Sequence, residues 1–200
     1  MNMQITGRKL ERNDLWSLEE YAQKRAAFRQ EIIAHKRART LHIGPNLTLL
    51  FEDRETMRYQ VQEMLRAERI FEAEGIQDEL DAYNPLIPDG SNWKATMLIE
   101  FGDVEERRQA LAKLIGVEDK VWLQVRGQEK VHPIADEDLE RETEEKTSSV
   151  HFLRFELTTG MVQALKEGAE LDAGVDHPAY RHELKPVPAE LRKSLVADLA

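Results

Sequence analysis

The chain has 200 residues, of which 41% are hydrophobic and 33% charged, with a formal net charge of −10. That composition fits one folded unit with a sizeable core and well-solvated helix faces, and it excludes disorder throughout. There is no cysteine, which excludes a disulfide scaffold, a cysteine nucleophile, a thiolate zinc site and an iron–sulfur cluster held by this chain, so any metal would need His, Asp or Glu.

No run of about 18 apolar residues occurs, and the opening "MNMQITGRKLERNDLW" lacks the apolar core of a signal peptide, so the expectation is a cytoplasmic protein without a membrane partner. Residues 1–40 hold nine Lys/Arg against five Asp/Glu, whereas residues 41–150 hold thirteen against twenty-five. This asymmetry speaks against nucleic acid as a partner.

Ser17 and Glu20 have capping-box spacing, and the following residues repeat apolar side chains at helical intervals through Tyr21, Phe28 and Ile32, predicting a helix to about residue 38. "TLHI", the turn "GPN" and "LTLLF" read as a short hairpin. A second helix is predicted from about residue 54 to 74. The two prolines and the Asp-Gly pair of "YNPLIPDGSNW" then forbid regular structure and shape a loop.

From residue 94 the pattern changes. "ATMLIEF" reads as a strand, residues 103–116 as a helix, "KVWLQVRG" and "EKVHPI" as a hairpin, and residues 136–145 as an exposed acidic segment. "VHFLRFEL" is a strand, "TGMVQALKEG" a helix, "HPAYRHELKPV" a strand and "PAELRKSLVADL" a closing helix. The whole is expected to be a single α+β domain over residues 1–200. Its helical part with the hairpin and Pro-rich loop (1–92) would pack on a mixed or antiparallel sheet with ferredoxin-like βαβ elements (93–200).

Several polar residues stand out. In the second predicted helix Glu68 falls about 20° from Met57, inside the apolar stripe, and a buried carboxylate needs a cation, a proton or a ligand. Arg25 occupies the corresponding place in the first helix, making an Arg25–Glu68 pair the expected answer, with Arg54 as the second choice; an arginine that snorkels into water and a stripe that turns away are the plainer alternative. Glu31 and His35, like Glu68 and Glu72, are four residues apart, but no predicted helix carries the Glu-x-x-His spacing of di-iron bundles. His132, His151, His177 and His182 fall on predicted strands, where hydrogen-bonded or exposed histidines are the usual outcome. No metal and no cofactor is expected. Asn84, Asp89, Asn92 and Trp93 bring hydrogen-bonding groups and an aromatic wall together in the loop, although Asn and Asp also serve turns. A phosphate loop, a nucleophile elbow and HExxH are all missing.

The strings "LLFEDRETMRYQVQEMLRAERI", "LDAYNPLIPDGSNWKATMLIEF" and "GVDHPAYRHE" resemble bacterial proteins of the DUF3501 family, with similarity along nearly the whole chain. The resemblance carries no activity, cofactor or catalytic residue. It implies a setting beside rubrerythrin-like proteins and iron–sulfur oxidoreductases, and hence an accessory or binding partner in a redox or oxidative-stress pathway, with iron–sulfur chemistry supplied by another chain. The competing expectation is an enzyme whose pocket combines the 84–93 loop with Arg54, Tyr59, Glu63, Arg66 and Glu68. There Glu68 or His182 would be the acid/base, and an arginine would hold an anionic substrate. A third is an interaction module using the acidic 136–145 segment. The accessory role is the leading expectation; the sequence does not rank the last two, and it leaves the oligomeric state open.

Overall fold

The computed structural model describes residues 7–200 apart from 140, 142 and 144. Part of the acidic 136–145 segment and the first six residues of the N-terminus therefore lie outside the described residues. The Ser17/Glu20 capping box forms and starts helix α1 (Leu18–Arg37). Strands β1 (Thr40–Ile43) and β2 (Leu47–Glu52) make the expected hairpin. Gly44 in its turn has φ +69°, and a Cβ there would lie 2.5 Å from the His182 ring, so only glycine fits beneath that side chain.

Asp53 caps helix α2 (Arg54–Glu68), which is shorter than predicted: Arg69 adopts a left-handed conformation with φ 58°, and the Ile70 N–H closes back on the Leu65 carbonyl. Helix α3 (Ala73–Tyr83) and a 3-10 turn (Asn84–Leu86) follow. Then come β3 (Asn92–Ile99), α4 (Val104–Lys113), a 3-10 turn (Glu118–Lys120), β4 (Val121–Val125), β5 (Lys130–Val131), β6 (Ile134–Ala135) and β7 (Val150–Glu156). The chain finishes through α5 (Thr159–Lys166), β8 (Leu171–His177), β9 (Tyr180–Leu184) and α6 (Ala189–Val196).

This is an α+β fold with two antiparallel sheets, ordered β1-β2-β3-β7-β6 and β5-β4-β8-β9. The hairpin of the helical part thus joins the first sheet directly. The predicted βαβ elements take a different form: β3-α4-β4 and β7-α5-β8 each pass from one sheet to the other, so neither helix returns the chain to the sheet it left. The expected "EKVHPI" strand is also divided. Lys130–Val131 pairs with β4 and Ile134–Ala135 with β7, because Pro133 between them cannot donate to a ladder.

Alternate residues of the inner strands build one core across both sheets, among them Phe51, Trp93, Met97, Leu123, Leu153, Phe155 and Val175. The helices α1 to α3 have smaller clusters of their own, around Met57, Val61, Leu65 and Leu80, and around Tyr21, Phe28 and Ile32. Among the described residues no helix is long and apolar enough to cross a membrane.

Candidate functional site

Period-two alternation sends Trp93, Ala95 and Met97 of β3 into the core and leaves Lys94, Thr96 and Leu98 on the opposite face. The register places Glu52, Lys94 and Arg154 in one cross-strand row, and Leu50, Thr96 and Phe152 in the next. The end of α3 and the Asn84–Leu86 turn stand over this face and enclose a groove of 530 Å³. Its apolar walls are Tyr83, Pro85, Leu86 and Phe152, and its charged groups are Glu52, Lys94, Arg154, Glu137 and Asp138. The size and the mixture of apolar walls with a few polar groups are those of small-molecule sites.

Glu52 is 5% exposed. One of its oxygens accepts from the Thr96 hydroxyl and the other from the Thr56 hydroxyl, both at 2.6 Å. Among the described residues it forms no ion pair, although it lines the groove. Arg154, by contrast, is spent: it grips Glu137 with two nitrogens at 2.7 and 2.6 Å and also bonds Glu156. Lys94 donates to the Pro85 carbonyl, and burial pushes its ammonium pKa down, with the nearby Arg154 charge adding to the shift.

A second polar cluster lies where β6, β7 and the turn before β4 meet. His151 is fully buried; its Nδ1 is 2.6 Å from Asp136 Oδ2, and its Nε2 is 2.9 Å from the Thr147 hydroxyl, 3.0 Å from the Ser148 carbonyl and 4.0 Å from Glu118 Oε2. Asp136 holds this place in a left-handed backbone, φ 49°. A third cluster is a clamp. Buried Arg39 donates to the Phe51 and Glu52 carbonyls and to Asp198, and it lies 3.4 Å from Asp53, which also bonds His35 at 2.5 Å. Burial alone would raise the Asp53 pKa, but His35 and Arg39 hold it below the usual range. Asp198 is pushed up by burial despite Arg39.

The family model described as "Protein of unknown function (DUF3501)" matches residues 9–199. The chain belongs to this family. A crystal structure at 1.90 Å, of a "novel protein of unknown function" from Burkholderia pseudomallei K96243, is 52% identical, covers 96% of this chain and 100% of its own, and superposes with a TM-score of 0.91. No curated protein matches the chain. The DUF3501 family thus carries the fold, and the chemistry has to be read from the side chains.

The residues singled out in the sequence are dispersed. Glu68, expected to be buried, is exposed as the last residue of α2. The helix ends at Glu68 itself, so no further turn covers it, and its expected pairing with Arg25 belongs instead to Glu63. Arg25 Nε and Nη2 meet the two Glu63 oxygens at 2.7 and 2.8 Å, and the Tyr21 hydroxyl donates to Glu63 at 2.5 Å. The Arg25 hydrogen bond draws the Glu63 pKa down to about 2. Arg54 pairs with Asp14 at 2.6 Å, Arg66 is exposed, and Tyr59 packs edge-on against Phe28.

In the loop, Asn84 exchanges two hydrogen bonds with the Leu10 backbone, and Asp89 bonds Ser91 and Asn92. Asn92 is buried and also reaches Glu156. Trp93 is fully buried in the core, its indole N–H donating to the Leu195 carbonyl. None of these four lines the groove; Pro85, Leu86 and Lys94 beside them do. His182 is exposed on β9 and packs on Tyr180, whose hydroxyl pins the β1–β2 turn. His132 and His177 bond the Val121 and Ile115 carbonyls, so the four strand histidines do not converge. His35, considered with Glu31 as a metal pair, bonds Asp53 instead. Glu52 was legible only through alternation, since "LTLLFE" puts it in phase with Thr48 and Leu50, away from the Phe51 face.

Proposed function

We propose that this protein binds a small amphipathic amine in the groove on the outer face of the five-stranded sheet. The observation that carries the reading is Glu52, a carboxylate buried at the groove without an ion pair among the described residues. A buried carboxylate is costly without a compensating charge, and two hydroxyl donors supply only part of what a cation supplies. A ligand ammonium reaching Glu52 completes that set, while its apolar body lies against Tyr83, Leu86 and Phe152. An anionic ligand is disfavoured, because the lining brings three carboxylates against two cations and Arg154 is already committed.

This is a binding function, not acid/base catalysis through Glu68 or His182. It accommodates the accessory role beside redox or iron–sulfur proteins: a chain without cysteine brings such a partner a bound small molecule, and the partner brings the cluster. The test is calorimetric titration with an aryl-alkyl amine and with the carboxylic acid of the same carbon skeleton. The amine binds, the acid binds at least about tenfold more weakly, and Glu52→Gln removes about 1.4 kcal/mol or more of the amine's affinity. Equal binding of acid and amine, or no change in Glu52→Gln, contradicts the reading.

A further inference from the structure

Away from the groove, we propose that Glu118, Asp136 and His151 form a binding site for one divalent transition-metal ion. Three separate segments deliver these side chains: the 3-10 turn before β4, the residue after β6, and β7. Each offers one ligand atom, and the three atoms lie within 4.8 Å of one another. All three side chains are largely buried, His151 completely, Glu118 at 8% exposure and Asp136 at 11%.

Two carboxylates and one neutral imidazole carry the charge that a divalent ion neutralises, and a mixed nitrogen and oxygen set suits manganese, iron, cobalt or zinc more than calcium. Asp136 meets Nδ1, so the ion takes the place of the proton shared there and binds Nδ1 and Asp136 with Glu118 brought in, while the Thr147 hydroxyl and the Ser148 carbonyl, 2.9 and 3.0 Å from Nε2, hold the far side of the ring and orient it. Ligand atoms around such an ion lie at most about 4.2 Å apart, twice a metal–ligand distance of about 2.1 Å. Nδ1 and Asp136 already lie within that limit at 2.6 Å, so it is the Glu118 carboxylate that has to move inward, within the reach of side-chain adjustment. The alternative is a purely structural histidine, hydrogen-bonded at both nitrogens and binding nothing.

The two are separated by metal alone. The full-length chain is treated with chelator, dialysed and titrated with Mn²⁺ and, separately, Zn²⁺, with bound metal measured by elemental analysis after equilibrium dialysis; Co²⁺ provides ligand-field absorption as a second readout. One equivalent of at least one ion is expected. Its affinity should fall at least tenfold in Glu118→Gln, which keeps side-chain size, and in Asp136→Asn, whose asparagine tolerates the left-handed backbone. Because His151 is buried, His151→Ala is scored only if its circular dichroism matches the parent, and then its binding is lost. Less than a tenth of an equivalent in the parent, or stoichiometric binding unchanged in both conservative variants, overturns the proposal. No amine enters the experiment, so its outcome is independent of the groove.

Discussion

The two faces of the five-stranded sheet are built from alternate residues of the same strands, yet they have opposite chemistry. The inner face presents Phe51, Trp93, Met97, Leu153 and Phe155 to an apolar core, interrupted by the buried His151, which lies across from Met97 and bonds Asp136. The outer face presents Glu52, Lys94, Thr96 and Arg154 beside Leu50 and Phe152. On the proposed reading the inner face carries stability and the outer face meets the ligand, so substitutions one residue apart should have different consequences.

The largest effect is expected on the inner face. Trp93→Ala should cost about 3–5 kcal/mol of stability, measured by denaturant unfolding, with amine binding by the remaining folded protein unchanged. Loss of binding at preserved stability would place Trp93 in the ligand site and erase the distinction between faces. Arg39→Ala comes next, at about 3 kcal/mol, because it strands the buried Asp198 carboxylate and leaves Asp53 with His35 and the Thr56 N–H alone. An unaltered unfolding midpoint in that variant would mean the clamp is dispensable.

A smaller, pH-dependent effect should come from Glu63, away from both faces. Its folded pKa of about 2 lies below the ordinary value of about 4.3. The resulting stabilisation is fully present above the ordinary value and disappears as pH falls from there through about 2. The Tm advantage of the parent over Glu63→Gln should therefore be largest near neutral pH and shrink toward pH 2; an advantage independent of pH would show that the Arg25 pair contributes no linkage. The smallest stability change, within about 0.5 kcal/mol, is expected for Leu86→Trp at the groove wall. That variant should nevertheless abolish amine binding by filling the space.

Much of the fold was legible from local signals. Ser17 and Glu20 announced α1, and the Gly-Pro-Asn turn announced the hairpin. What local pattern could not show was partnership across the chain. Nothing near α4 or α5 indicates that each one carries the chain between sheets, because that depends on strand pairing at long range. The helical wheel placed a carboxylate in an apolar setting at Glu68, but it assumed the helix continued; the left-handed Arg69 stops it. The buried carboxylate instead belongs to Glu52, whose Thr96 partner lies 44 residues away. The meeting of Glu118, Asp136 and His151 was equally invisible, since the three residues share no spacing motif.

The central claim is that the outer face holds the ligand, and amide chemical-shift mapping during titration with the amine tests it most directly. The account predicts shifts concentrated at Glu52, Lys94, Thr96, Phe152, Tyr83 and Leu86, and absent from Leu86→Trp. Shifts that cluster at the exposed end of α2 around Glu68 or on β9 around His182, with Glu52 and Phe152 unmoved, would contradict it.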